Sequence, residues 1–273
     1  MQKILFFICF SMTAFTAVAQ RSTVPSQPGK LKISHAEPLY MDLIRDLGAR
    51  KGEKEFNLGF GFNDFRKFVN YTGFAEFEFA PIDRLGFEIE VPFQFYRGIE
   101  STESLPENAM EGLKLATQYT FLVSEKLQTS MAIGYIQEFE MASFNSFRQK
   151  EGYITGTLYN PIFIAAKRWS DHLHTLLYTG PVFEQHFGHP GVDMIYQLNV
   201  NIHCVLPGIT SFIGLETNLE FSGRETSVVF RPQVKFRVSK SVSVGWVTGI
   251  PTDLKNTGIS SMIRLIWEPQ KRI

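Results

Sequence analysis

The sequence predicts an all-β fold, a transmembrane antiparallel up-and-down β-barrel of about 12 strands preceded by one short periplasmic helix. Three observations carry that reading. Residues 71–96 form two arms around Ala80-Pro81-Ile82-Asp83-Arg84, and in the second arm Leu85, Phe87, Ile89, Val91, Phe93 and Phe95 alternate with Gly86, Glu88, Glu90 and Gln94. A period of two is a strand pattern, and an apolar face backed by a face of carboxylates suits a wall between lipid and a wet interior. Beyond the first 19 residues no apolar run approaches the ~20 residues a spanning helix needs, which excludes a helical membrane protein and leaves a barrel open. Aromatic residues make up 14% of the chain, led by 26 Phe, a content that fits lipid-facing strands with interfacial girdles.

Taken in order, the chain begins with Met1-Gln2-Lys3, an apolar run over residues 4–10, and Ala17-Val18-Ala19 before Gln20. A positive start, a short apolar core and a small-x-small end make residues 1–19 a secretory signal peptide. The run is too short for a membrane anchor. Cys9 lies inside it and follows Ile8, not a small residue, which excludes a lipoprotein. Cleavage leaves about 254 residues with Cys204 as the sole cysteine, so an intramolecular disulfide and a cysteine-based metal site are excluded. The 27 Lys and Arg balance 27 Asp and Glu, which gives no electrostatic reason to expect nucleic acid as a partner.

Residues 20–55 form an N-terminal segment expected on the periplasmic side, polar over 21–33 and patterned after that. Tyr40, Leu43, Ile44 and Leu47 fall at i, i+3, i+4 and i+7, Pro38 suits a first helical position, and Gly48 suits a stop, so a short amphipathic helix is predicted over 38–47. Its charges, Glu37, Asp42, Arg45 and Asp46, make a solvated interface the simplest role; plugging the barrel mouth, lying on the membrane and docking a partner are the alternatives. The box from His35-Ala36-Glu37-Pro38-Leu39-Tyr40 through Asp42-Leu43-Ile44-Arg45-Asp46-Leu47-Gly48-Ala49-Arg50-Lys51-Gly52-Glu53-Lys54-Glu55 resembles one in a family of secreted proteins of Gram-negative bacteria predicted to be outer-membrane barrels. The strand pattern after it is loosely similar to outer-membrane proteins grouped under phenol-degradation pathways, some of them suspected transporters. The resemblance implies a barrel in the outer membrane. Neither family brings an established activity, so no functional residue is carried over.

Twelve alternating segments follow, over about residues 56–63, 70–79, 85–96, 112–123, 127–140, 152–167, 172–186, 192–206, 210–221, 226–238, 241–248 and 258–268. Residues 56–273 then form the barrel, at roughly 18 residues per strand and link, and an even strand count is expected of a single-chain bacterial barrel. Asn160-Pro161 interrupts the sixth segment, which keeps ten and fourteen strands as alternatives. With the chain start in the periplasm, the inner links are 81–84, 124–126, 168–171, 207–209 and 239–240, all short, and the long links 97–111 and 141–151 lie outside. The last strand ends at Trp267, an aromatic end of the type the barrel-insertion machinery engages, although residues 268–273 extend past it.

Side-chain alternation assigns the lumen. Its acidic lining is Glu76, Glu78, Glu88, Glu90 and Glu216, and its basic lining is Arg231, Lys235, Arg237 and Arg264. Around the first hairpin Glu76 is expected nearly opposite Glu88, and like charges so placed call for cations nearby. Arg264, on the last strand, is two strands from Glu76 once the barrel closes, about 10 Å at ~4.8 Å per strand. Facing acidic and basic walls make a transverse field that selects small polar or charged solutes in a channel. The competing reading pairs the same residues, Glu216 with Arg231 for example, in a closed structural barrel. A third class is a barrel-embedded lipid hydrolase. His172 and His174 are separated from His186 and His189 by most of a strand, so the two pairs cannot share one metal or triad, and no Gly-x-Ser-x-Gly, His-Glu-x-x-His or phosphate loop occurs. No catalytic residue, metal or cofactor is therefore expected, and the partners are outer-membrane lipid, the insertion machinery and a small polar solute.

Overall fold

Segments with every second side chain apolar become strands because both faces find a suitable medium, lipid outside and a polar lumen inside. The computed structural model describes residues 31–269 apart from 42, 66, 100–104, 150–152, 207–210 and 255–256, so the predicted signal peptide over residues 1–19 and the polar residues 21–30 lie outside the described residues. The strands are β1 (Lys54–Asp64), β2 (Phe68–Ile82), β3 (Leu85–Gly98), β4 (Ala109–Met110), β5 (Gly112–Ser124), β6 (Thr129–Met141), β7 (Ile154–Arg168), β8 (Leu173–His186), β9 (Asp193–Val205), β10 (Phe212–Ser222), β11 (Glu225–Arg237), β12 (Val242–Pro251) and β13 (Ser260–Trp267), and one short helix, α1 (Phe144–Gln149), lies between β6 and β7. β4 is a two-residue piece that pairs with the outer part of β3 and leads into β5 across Glu111, so the wall has twelve staves. Sequence neighbours pair antiparallel throughout, and β1 closes on β13 from Phe56↔Trp267 to Asn63↔Ser260. Closure removes the open edges that lipid could not satisfy.

The interrupted sixth segment is a full stave, β7. Its ladder to β6 runs unbroken through Tyr135↔Pro161, whereas the ladder to β8 skips from Tyr159↔Phe183 to Phe163↔Thr179. Pro161 and Pro181 fall in that gap, and neither has an N–H to donate. The Asn160 amide fills part of it by donating to the Pro181 carbonyl at 2.7 Å.

Links at the end where β1 starts are short, 83–84, 125–128, 169–172, 206–211 and 238–241, and the two longest links, 99–108 and 142–153, are at the opposite end. In the β2–β3 hairpin pairing continues to Ile82↔Leu85, so the turn is Asp83-Arg84, with Arg84 at φ 72°. A register shift between Phe79 and Ile82 corrects the expected pairing: Glu76 faces Glu90, and Glu78 faces Glu88. The extra strand residues before the turn, and the bulge they form, are the reason.

The barrel's core lies in its lumen, and residues 31–53 supply about a third of its buried apolar side chains among the described residues. Leu43, Ile44 and Leu47 pack with Ala132, Ile164 and Tyr178, while Ala36 and Leu39 pack with Phe212, Val247 and Ile266. Fully burying one such Leu or Ile contributes roughly 1.5–3 kcal/mol. The predicted helix over 38–47 is corrected here: its described residues run as bends and turns, Asp42 lying outside them. Backbone donors of this stretch are taken by the wall, Ala36 N by His174 Nδ1 (2.9 Å), Leu39 N by Gln233 Oε1 (2.7 Å), Met41 N by Glu216 Oε1 (3.1 Å) and Gly48 N by Thr120 Oγ1 (2.9 Å). Partners on four staves replace the i−4 carbonyls a helix would use. The segment is a plug.

Candidate functional site

The plug is latched by ions at the chain-start end. Arg45, 3% exposed, donates to Glu55 of β1 at 2.8 Å and Glu78 of β2 at 3.0 Å, and lies 3.0 Å from its neighbour Asp46. Lys32 bonds to Asp46 and, at 2.8 Å, to Glu53. Gly86 makes the approach feasible, since a Cβ there would stand 2.4 Å from Arg45 Cβ. Burial alone would raise the Asp46 carboxyl, but Arg45 and Lys32 hold it well below the usual carboxylate range.

Above the plug, toward the end with the long links, a cavity of about 310 Å³ opens between the staves. Tyr40, Met41 and Ile44 of the plug form its floor. On one wall Glu76, Glu88 and Glu90 bring carboxylate oxygens within 4.8 Å of one another. This is the one group of metal-ligand type that gathers so closely among the described residues, and side-chain cations hold it. Lys114, which faces Glu90 across β3 and β5, lies 2.9 Å from both Glu88 and Glu90. Arg264 reaches Glu76 at 2.7 Å, spanning β1 between β13 and β2. Gly59, opposite both Arg264 and Phe74, leaves room for the Phe74 ring, which a Cβ there would strike at 1.9 Å, and Asn57 on β1 donates to Glu76 (2.7 Å) and Glu78 (3.0 Å) from below.

Arg231 lines the facing wall, with its guanidinium over the Tyr40 ring at 3.3 Å. It stands in register with Glu216, but the Glu216 carboxylate accepts from Met41 N and Asn218 Nδ2, while Arg231 Nε donates to Asn218 Oδ1 at 2.5 Å. Arg237 is exposed and closes the β11–β12 link through the carbonyls of Ser239 and Lys240, and Lys235, two residues before it on β11, is half-buried. The basic residues are thus divided, Arg231 and Arg264 at the cavity and Lys235 and Arg237 at the chain-start end. Sequence reasoning missed Arg45, Glu55 and Tyr40 as lumen residues; the signal for Glu55 was its parity with Asn57, and Arg45 and Tyr40 had none while their stretch was read as a helix outside the wall. His172 lies in the β7–β8 link and His174 faces the lumen, whereas His186 ends β8 beside Glu140 at 3.0 Å.

Outside, the wall is apolar: Phe60, Ile133, Ile213, Trp246 and Ile263 are more than half exposed. A closed barrel with such a belt around a polar lumen is built for lipid and places the chain in an outer membrane. The fold is similar to that of three solved structures. The KdgM porin aligns at 12% identity over 79% of this chain and 99% of that chain, with a TM-score of 0.57. For the NanC porin the figures are 8%, 79%, 100% and 0.57. For the COG4313 outer membrane channel from Pseudomonas putida F1 they are 11%, 82%, 97% and 0.58. At these identities the likeness concerns the fold alone. No curated protein sequence matches the chain. The model of one family spans residues 31–268, plug and wall together, and the chain belongs to that family, the HAEPLYID-like family.

Proposed function

We propose that the protein is an outer-membrane channel for small polar or charged solutes, held shut in its periplasmic half by its own N-terminal segment. The observation that carries this reading is the cavity above the plug, where Glu76, Glu88 and Glu90 face Arg231 across open space whose floor is formed by Tyr40, Met41 and Ile44 of the separate N-terminal segment. Charges of both signs on opposite walls set a transverse field through which polar solutes pass in a preferred orientation. Lipid covers the apolar belt, and the insertion machinery engages β13 with its terminal Trp267. The second reading, a permanently closed structural barrel, is favoured by the two apolar clusters that tie the plug to the wall. Planar-bilayer recording separates the two. Intact protein is expected to conduct rarely and protein lacking residues 21–50 to conduct continuously; silence from both would refute the channel, and equal currents would refute the plug.

A further inference from the structure

The cavity's cations are not equivalent. Lys114 is bonded to Glu88 and Glu90, and Arg264 to Glu76. Arg231 is 8% exposed and has no carboxylate in contact among the described residues, its hydrogen-bond partners being neutral, Asn218 Oδ1 and, at 3.2 Å, Ser260 Oγ. Glu216, its register partner, directs its carboxylate to Met41 N and Asn218 instead. A guanidinium buried this far without a contacting counter-charge is costly unless an anion joins it. Its seat is also shaped. At Gly249 a Cβ would stand 2.2 Å from Ser260 Oγ and 2.4 Å from Arg231 Nη1, so only glycine lets the head lie there. Tyr40 covers one face of the guanidinium, the hydrogen bonds of Arg231 use Nε and Nη1 among the described residues, and the residue lines the cavity. Planar donors with one open edge match a carboxylate. The cavity lining also offers apolar side chains, Met41, Phe74 and Val247 among them.

We propose that the cavity binds a small monocarboxylate with an apolar body, its carboxylate on Arg231 and Ser260 and its body over Met41 and Phe74. This rests on reading the lumen as a solute path and names the class of solute. Because Tyr40 belongs to the plug, the site is also the place where a solute meets the gate.

Calorimetric titration of the intact folded barrel in detergent tests this, with sodium benzoate, benzyl alcohol and benzylamine as probes of one shape and three charges. Benzoate is expected to bind at least tenfold tighter than the alcohol, and the amine more weakly than either. Arg231→Gln is expected to remove at least tenfold of the benzoate affinity while heat-modifiable gel migration is unchanged. Gly249→Ala keeps the arginine but displaces its head, and is expected to weaken benzoate severalfold; it serves if the first variant does not fold. Equal binding of benzoate and alcohol, tighter binding of the amine, unchanged affinity in both variants, or no benzoate binding would overturn the assignment. The channel reading fails separately: benzoate binding in a barrel that never conducts, with or without residues 21–50, removes the channel and keeps the site, and conduction without benzoate binding does the reverse.

Discussion

Replacing Arg45 by Met retains most of the side chain's stem in the Gly86 notch and removes only the charge. Glu55 and Glu78, 5% and 2% exposed, lose their shared guanidinium. Breaking a buried ion pair by deleting one partner costs about 3–5 kcal/mol. Glu78 keeps Asn57 Nδ2 at 3.0 Å and has Arg264 at 3.8 Å, so Glu55 is the group more fully stranded and the lower end applies. About 3 kcal/mol is roughly a hundredfold in the docking equilibrium of the plug. The wall, held by its own ladders, is expected to be unaffected. Chymotrypsin cleavage after buried Leu43 or Leu47 in the folded barrel reports the undocked population when docking is fast relative to cleavage. The expected result is cleavage faster by about that factor, together with longer open times in planar bilayers. Cleavage and open times within twofold of the parent protein would refute the assignment of Arg45 as the latch.

Three further outcomes follow from the same geometry. Gly86→Val adds carbon where Arg45 Cβ lies 2.4 Å from an ideal Cβ, in a strand that accepts valine, so it is expected to expel the plug and raise conductance with the barrel's heat-modifiable migration intact. Acid is expected to loosen the plug: burial, then His174 and Arg168, lower His35 to about 4, so docking favours neutral His35, is fully present above its ordinary pKa of ~6.5, and weakens as pH falls from there toward 4, by up to the order of a hundredfold. Asp46, depressed when docked, adds to the loosening below about pH 4, and conductance recorded at pH 7.5 and pH 5 in the parent and in His35→Gln checks the first part, which the variant should lose. Asn160→Ala removes the donor to the Pro181 carbonyl and is expected to cost about 1 kcal/mol of barrel stability in urea-dependent unfolding, with the plug unaffected.

The wall was legible because a strand reveals its two faces at every second residue, and closure follows from the requirement that no edge face lipid. Parity identified which side chains turn inward. It did not give depth, and depth separates Arg231 at the cavity from Arg237 at the link. Nor did it give register at the first hairpin, where the bulge between Phe79 and Ile82 depends on local turn geometry. The plug was the least legible part. Tyr40, Leu43, Ile44 and Leu47 have helical spacing, yet here Leu43, Ile44 and Leu47 share one apolar cluster while Tyr40 lies against Arg231, and the N–H groups on either side of Tyr40 bond to Gln233 and Glu216, residues nearly two hundred positions away. No local pattern encodes acceptors so distant.

The composition of the wall bears on whether that plug is a fixed core or a gate. A lumen evolved only to be filled would face the plug with apolar side chains, as Ala132, Ile164 and Leu176 do on one side. On the other side stand Asn199, Asn201 and His203 of β9 and Glu216 of β10, all at most 2% exposed. Both polar atoms of the Asn201 side chain, together with Glu216 Oε2 and His203 Nδ1, have no protein partner among the described residues. Each buried polar group without a partner costs about 1–3 kcal/mol. Apolar residues along this strip would carry no such demand for partners. In a lumen filled with water the same groups are fully satisfied. A polar strip of this kind suits a wetted lumen better than a permanently filled one, and set against the Arg45 latch and the apolar clusters it is the kind of opposition that the proposed displaceable gate requires.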